Sequence, residues 1–429
     1  MITKNQIHEV TLQKVIYGGQ TLAELSDGKK VFVWGGLPGE TASVRVHKSK
    51  RNWAEAIIES VITKSDERIA PADPDSFLST SPWQIYNYDY ENKLKQELII
   101  EQFTQHHLGL ILDNFTAPEE PLHYRNKIEF SFWWSNESEQ LDLAFYKRGT
   151  HIRQPVEGTS LGKECLNQAA VRVRDYLRLH NVQARDLKSL ILRCSQDDVV
   201  VAQLYVKESN FPLKPLAEEL DIAGISIQFS NPKSPASIIT KTLHANGAQN
   251  LSDIILDARY SYSVDGFFQV SIPMYESALE AIRAHIDPSV PLVDMYSGVG
   301  SIGLSLAAPN QQLTLIELDE RSIKEAKANA SQIKPDTKVI HARSESAVEY
   351  ITSQATVVLD PPRAGLHQRV IDQLLDAKPK TVVYLSCNPA TQARDIALLQ
   401  SIYKPLYAHG FNFFPRTPHI ENLVILQAQ

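Results

Sequence analysis

The chain divides into three stretches that differ in the period of their apolar positions. Up to about residue 62, short β-branched runs alternate with polar positions and are separated by Gly, Asp or Pro: Val10–Val15, Thr21–Leu25, Lys30–Val33, Thr41–Val46 and Trp53–Ile62. Short strands joined by tight turns predict a small, OB-like β-barrel, an architecture often used for oligonucleotides. After a Pro/Asp/Ser linker from Ala70 to Ser81, Asp89–His107 sets Tyr90, Leu94, Leu98, Ile99 and Phe103 among Lys, Glu and Gln at helical spacing. From about Pro118 to Ser261 the pattern is mixed α/β. IEFSFWW and LDLAFY predict a hairpin, VVVAQLYV a strand, and NFPLKPLAEEL the start of a helix.

From about Tyr262 onward, apolar strand candidates (PLVDMY, LTLIEL, KVIHAR, TVVLDPP, TVVYLSC, YKPLYAHGF, LVILQ) alternate with helical segments such as SIKEAKANAS and QRVIDQLLDA. That alternation predicts an α/β unit with a parallel, doubly wound sheet, whose binding sites lie at the carboxyl ends of the strands. The expected organisation is a barrel over 1–65, a central α/β domain over 75–261 and a doubly wound domain over 262–429.

Composition narrows the class. Apolar residues make up 43 % and charged residues 22 % of 429 positions, with a formal net charge of −7. A soluble, cytoplasmic, monomeric protein is expected, since MITKNQIHEV lacks an apolar signal core and no apolar run is long enough to cross a bilayer. The three cysteines, Cys165, Cys194 and Cys387, are widely spaced, form no metal-binding pattern, and suit a reducing compartment. The acidic balance means that any nucleic-acid contact rests on a local basic face. Arg45, His47, Lys48, Lys50, Arg51 and Trp53 offer one. This stretch reads either as a phosphate-contacting loop with a stacking ring or as a solvated hairpin.

Candidate chemistry concentrates at strand ends in the last stretch. Leu292 to Gly303 runs from a strand through Gly298, Gly300 and Gly303 into a helix, and Glu317 ends the next strand roughly 20 residues on, where an acid meets ribose hydroxyls. Nicotinamide enzymes and methyltransferases share this arrangement. Asp360-Pro361-Pro362-Arg363 ends another strand, either as the wall of a slot for a planar base or with Asp360 capping the next helix. Cys387, in Ser386-Cys387-Asn388-Pro389, stands before a helix, a setting that favours thiolate. Cys165 and Cys194 have no such setting and read as inert small hydrophobes. A thiolate helps where carbon 5 of uracil must be made nucleophilic: addition at carbon 6 makes carbon 5 carbanion-like. A base must then remove the carbon-5 proton. Glu421 and His419, in PHIEN, offer one; Glu421 also reads as a surface carboxylate before the last strand.

Taken together, Gly266-Phe267-Phe268-Gln269-Val270, DMYSGVGSIGL, LDPPRAGL, YLSCNPATQARDI and FFPRTPHIENLVIL resemble the RNA uracil-C5 methyltransferases that make 5-methyluridine in bacterial tRNA and 23S ribosomal RNA. The resemblance implies a Rossmann-like class I methyltransferase domain, S-adenosylmethionine as cofactor and RNA as partner. It makes Cys387 the nucleophile and Glu421 the base. It assigns Gln269, Tyr296, Glu317 and Asp360 to the cofactor, beside Gly298 of the Gly-rich turn, and Arg363 to the RNA or the base edge; Arg51 and Trp53 are the candidates that the basic stretch of the barrel adds for RNA. Many members hold an iron–sulfur cluster, but Thr80 and Trp83 stand where cysteines would fall, leaving only Cys165 as a relic of the fourth ligand. No cluster and no metal are therefore expected. Trp83, Tyr86, Tyr88 and Tyr90 are candidates to pack in its place. Ser271 and Ser297 also depart from the family, which usually has Asn at the first and often Cys at the second. The competing readings are a non-catalytic RNA-binding or chaperone protein, an RNA methyltransferase for another base position, and a nicotinamide oxidoreductase.

Overall fold

A computed structural model describes residues 4–25, 27–136, 139–234 and 237–429, so the first three residues of the expected barrel segment lie outside it. The alternating N-terminal runs are β1 (Ile7–Val15), β2 (Thr21–Glu24), β3 (Lys30–Trp34), β4 (Thr41–Ser49) and β5 (Trp53–Thr63), closed in the order β1-β2-β3-β5-β4. Closure removes both sheet edges. The inward positions include Val10, Leu12, Val31, Val33, Val44, Val46, Ala54 and Ala56; alanines on β5 leave room for the valines opposite. The basic stretch 45–53 covers the end of β4 and its turn into β5.

The linker contains a one-turn helix, α1 (Phe77–Thr80), then α2 (Tyr88–Gln105) and the short strand β6 (Asn114–Thr116). A seven-stranded sheet follows, built from β7 (Lys127–Ser135), β8 (Gln140–Tyr146), β9 (Arg153–Val156), β10 (Leu187–Cys194), β11 (Val200–Val206), β12 (Gly224–Phe229) and β13 (Lys241–Gly247). Helix α3 (Glu164–Leu179) buries Leu166, Ala169, Ala170, Val173 and Leu177 in the core beneath it. The helix expected from NFPLKPLAEEL is only a 3-10 turn, Glu218–Leu220. Pro212 and Pro215 lack amide donors and push the residues before them away from helical angles.

A hairpin, β14 (Asn250–Ile255) and β15 (Ala258–Ser263), leads into the last unit. Its elements are α4 (Ile272–Arg283), β16 (Leu292–Asp294), α5 (Ser301–Leu306), β17 (Leu313–Glu317), α6 (Glu320–Ile333), β18 (Lys338–His341), β19 (Thr356–Leu359), α7 (Gln368–Ala377), β20 (Thr381–Ser386), α8 (Pro389–Leu399), β21 (Tyr403–Phe411) and β22 (Glu421–Ala428). The sheet order is β18-β17-β16-β19-β20-β22-β21-β6. Alternate strand residues feed two cores: Val357, Leu359, Val382 and Tyr384 on one face, Val358, Val383 and Leu385 on the other.

Two expectations need correction here. The sheet is not wholly parallel: β22 runs antiparallel to both β20 and β21. The connection 412–420 is too short for a parallel crossover, which takes about a dozen residues or more. In addition, α2 and β6 fall within the segment expected to form the central domain, yet β6 pairs with β21 and Leu94, Leu98, Ile99 and Phe103 of α2 enter the core of the last sheet. The apolar face of α2 covers that side of the sheet, and β6 covers its edge.

The connection 412–420 is held to α2 by buried charge. Glu91 and Lys95 are both fully buried and pair at 3.0 Å. Lys95 Nζ donates to Asn412 Oδ1 at 2.6 Å and to the Phe414 carbonyl at 3.1 Å. Glu91 accepts from the Arg416 amide at 3.0 Å and from Asn412 Nδ2 at 3.1 Å. Burial brings the Lys95 ammonium down to about 8. The aromatic segment is ordered alongside. Trp83 and Tyr86 are buried with ring centres 5.1 Å apart, Tyr86 stacks on Tyr90, and the Arg416 guanidinium lies 4.8 Å from the Tyr88 ring.

Among the described residues no helix is long and apolar enough to cross a membrane. Glu91→Gln strips the carboxylate from Lys95 and Arg416 while nearly keeping its shape. Leaving buried cations unpaired costs about 3–5 kcal/mol. The urea transition followed by tryptophan fluorescence, with Trp83 beside the network, is expected to move to lower urea; an unchanged midpoint would show that the pair contributes nothing net.

Candidate active site

The reversal of β22 sets the geometry of the site. Because β22 runs against β20, its first residue lies at the carboxyl end of its neighbour. Ser386 pairs with Asn422 as the last rung, which brings their chain neighbours Cys387 and Glu421 to the same end of the sheet. Glu421 is buried and Cys387 half-buried. Asn388 caps α8, its Oδ1 accepting from the amides of Ala390 (3.2 Å) and Thr391 (3.4 Å). Its Nδ2 donates to the Arg363 carbonyl at 2.7 Å, tying the Asp-Pro-Pro-Arg turn to the thiol's turn. Asp395 holds the same turn, accepting from the Leu366 amide and the Tyr384 hydroxyl, both at 2.8 Å. Asp360 does not cap α7; His367 does. Arg363 is exposed, with Nη2 3.2 Å from His419 Nδ1.

The electrostatics correct one expectation. The helix start does not make Cys387 acidic here. Burial, then Glu421 and Asp360, push its thiol up to about 11, and Arg363 is the group that pulls it back. Burial also raises Glu421 well above the carboxylate range, with Asp360 adding to the effect and Arg363 opposing it. Burial, then Asp294, raises Asp360 to about 7. Burial brings His419 down to about 4, with Arg363 next in effect, so His419 stands neutral. Three buried carboxyls and a thiol thus share one site, and that site holds charge poorly.

The Gly-rich turn runs from β16 into α5, beside the place between β16 and β19 where the chain's order across the sheet reverses. Gly298 has φ +55°, and a Cβ there would meet nothing within 4 Å, so its backbone borders open space. Around it, Asp294 Oδ1 and Ser297 Oγ are buried without a hydrogen-bond partner among the described residues. Open space beside orphaned acceptors and a hydroxyl suits a polar cofactor such as S-adenosylmethionine. The Glu317 carboxylate accepts from the amides of Gly298 (2.9 Å), Leu318 (2.7 Å) and Asp319 (2.6 Å), which fixes its direction at the rim. Tyr296 packs against the core on the α7–α8 side, and burial raises its hydroxyl to about 12. Gln269 is half-buried, and its carbonyl accepts from Asn126 Nδ2 at 2.9 Å.

The barrel positions Arg51 on an exposed turn. Trp53 is half-buried, with the Lys48 ammonium 4.9 Å from its ring centre, so one face already carries a cation.

Two residues escaped the sequence reading. Tyr17, in the β1–β2 turn, donates to Asn388 Oδ1 at 2.7 Å, and both Cys387 and Arg363 act on its hydroxyl. A Cβ at Gly19 would sit 2.2 Å from Pro418, and the Gly19 carbonyl accepts from Trp83 Nε1 at 3.1 Å. The barrel turn is therefore a wall of the site; the signal was an aromatic residue directly before Gly-Gly. Arg193, 1 % exposed, donates to the carbonyls of Gly266 and Phe268, both at 3.1 Å, and lies over Tyr262, which stacks on Phe268. It anchors the Gln269 segment from the central sheet. A lone Arg ending an apolar strand was the available signal.

Comparison with known proteins agrees with this geometry. A TRAM domain model matches 3–58, a methyltransferase small domain model matches 278–382, and a tRNA (Uracil-5-)-methyltransferase model matches 348–429. A protein of Enterococcus faecalis described as an uncharacterized RNA methyltransferase is 27 % identical over 99 % of this chain and 98 % of its own length. One of Lactobacillus johnsonii with the same description is 28 % identical over 99 % of each. The crystal structure of Pyrococcus abyssi tRNA (uracil-54, C5)-methyltransferase in complex with S-adenosyl-L-homocysteine superposes with a TM-score of 0.80 at 22 % identity, over 98 % of this chain and 100 % of that one, which establishes the fold. With TRAM on the barrel, a uracil-5-methyltransferase match over the segment bearing Cys387 and Glu421, and full-length likeness to RNA methyltransferases, the chain is similar to the RNA uracil-C5 methyltransferases, whose methyl donor is S-adenosylmethionine.

Proposed function

We propose that this protein methylates carbon 5 of a specific uridine in tRNA or 23S ribosomal RNA through a covalent bond from Cys387 to carbon 6. The observation that carries the reading is the end of the β20–β22 ladder at Ser386 and Asn422, next to which the buried Glu421 carboxyl acts on the Cys387 thiol. S-adenosylmethionine supplies the methyl group as a sulfonium; Asp294, Gly298, Glu317 and Asp360 line the space for it, with Gln269 and Tyr296 at its margins. Arg363 pulls the thiol toward its reactive form from the exposed side, where RNA arrives. Addition of the Cys387 sulfur to carbon 6 pushes the ring electrons onto the carbon-4 carbonyl, and carbon 5 becomes the nucleophile. After methylation, Glu421 takes the carbon-5 proton, and the returning electron pair expels the thiolate. Burial raises the affinity of Glu421 for that proton. The target uridine must leave its stack to reach a half-buried sulfur. Arg51 and Trp53 face the flanking RNA from the barrel. Three free thiols suit a reducing cytoplasm.

Incubation with labelled donor and RNA lacking the modification should yield label in 5-methyluridine after nucleoside digestion; label in another nucleoside would end this reading. Cys387→Ala is expected to abolish transfer while the donor still binds by calorimetry. Glu421→Gln is expected to accumulate a protein–RNA adduct that survives a denaturing gel, because the thiol leaves only after the proton does.

The pH dependence follows from the sign of two shifts. Both Cys387 and Glu421 are raised, so the reactive form of each grows as pH rises. Single-turnover release of the carbon-5 hydrogen from RNA should increase between about pH 6 and pH 8, by up to about tenfold per unit for one limiting group. A rate that falls across this window contradicts the assignment. Arg363→Gln removes the group that lowers the thiol and should slow the reaction by a similar factor across this window, all of which lies below the thiol's value.

A further inference from the structure

Cys165 and Cys194 lie 29 positions apart in the sequence (194 minus 165), yet their sulfurs lie within 4.8 Å of each other and of a carboxylate oxygen of Asp198. Their settings differ. Cys165 occupies the first turn of α3, half-exposed, on the wall of a cavity of about 490 Å³ that Arg172, Asp198 and Glu218 also line. Cys194 ends β10 and is fully buried behind it. The Lys163 ammonium, 2.8 Å from Asp198 Oδ1, offsets the carboxylate that stands 3.5 Å from the Cys165 sulfur. Reading these residues as inert small hydrophobes fails for Cys165, whose company is a thiol, a carboxylate and an ammonium.

We propose that Cys165 and Cys194 form an oxidisable dithiol, a modification site that takes a peroxide at Cys165 and closes to a disulfide with Cys194. The division of labour follows from access: Cys165 lines the cavity, and Cys194 is fully buried. In the first step the Cys165 thiolate attacks one peroxide oxygen, breaking the O–O bond; the sulfur becomes a sulfenic acid and the other oxygen leaves as hydroxide. In the second step the Cys194 sulfur attacks the oxidised sulfur and loses its proton. Water leaves, and the sulfur–sulfur bond forms. The peroxide is reduced by two electrons, one from each sulfur.

The remaining thiol is spared by its surroundings. The hydrogen bond from Cys194 is the first cause holding Cys165 below the usual thiol range. Burial and two carboxyls hold Cys387 near 11. The thiolate is the form that reacts, so Cys165, which lines the cavity, is oxidised before Cys387. The bond would staple the start of α3 to the end of β10, next to Arg193 and its grip on the Gly266–Phe268 carbonyls.

The test needs neither RNA nor the methyl donor, so it stands apart from the proposed function. The full chain is treated with hydrogen peroxide at pH 7.5, alkylated and digested without reduction. The expected product joins the Cys165 and Cys194 peptides and has lost two hydrogens, while Cys387 is recovered alkylated. In Cys194→Ser the peroxide should leave a sulfenic acid on Cys165, trapped by dimedone. In Cys165→Ser, Cys194 should stay reduced. Oxidation of Cys387 before Cys165 would overturn the proposal, as would recovery of Cys165 and Cys194 unlinked at the peroxide dose that exhausts the Cys165 thiol.

Discussion

The connection 412–420 cannot carry its chain back over the sheet, so β22 must turn and run against β20. Reversal brings a residue from the start of one strand and a residue from the end of another to the same edge, and Glu421 meets Cys387 by that rule of register. A parallel last strand would have carried Glu421 to the far end of the sheet. The connection itself is mixed: Phe413 and Ile420 enter the cores on either side, and Asn412, Arg416 and Thr417 are buried polar groups that need partners. The Glu91–Lys95 pair and Asn412 draw it down onto α2 and seal it. The buried ion pair thus stabilises a shape as well as a fold, because the loop it holds carries Pro418 and His419 into the site.

The same burial that fixes the site makes it electrostatically unsettled. Asp294, Asp360 and Glu421 converge with few cations to offset them, and each is raised above its ordinary range. Arg363 is the cation that acts on both the thiol and the last carboxyl, and it sits on the exposed side. A site of this kind rests in its protonated, unreactive form. It gains from any positive charge delivered with the substrates, so reactivity is tied to occupancy and the thiol is protected in between.

Much of this was legible in the sequence. Strand-to-turn motifs announced the carboxyl end of the sheet because Gly298 and the Asp-Pro-Pro turn can occupy few other places. Cys387 stood out because Ser386 and Asn388 are poor company for an inert core thiol. What stayed hidden depends on contacts between distant parts of the chain. The direction of β22 is not written in LVILQ, whose apolar run suits either orientation. Tyr17 and Arg193 belong to domains that carry no catalytic motif and matter only through what they touch. The acidity of Cys387 was misjudged because a helix start is a local feature, whereas Glu421 and Asp360 come from other strands. The helix start expected over 210–220 failed for a local reason, two prolines, that the apolar spacing obscured.

The joint between Gly19 and Pro418 has a consequence for how the molecule is made. These residues are near opposite termini, and the fit tolerates no added carbon. Loop closure over such a span is entropically costly and slow. The pocket wall that Tyr17 provides leans on Asn388, and Gly19 beside it on Pro418, so neither contact is local. That wall of the pocket therefore forms only when two segments about 400 residues apart in sequence have met.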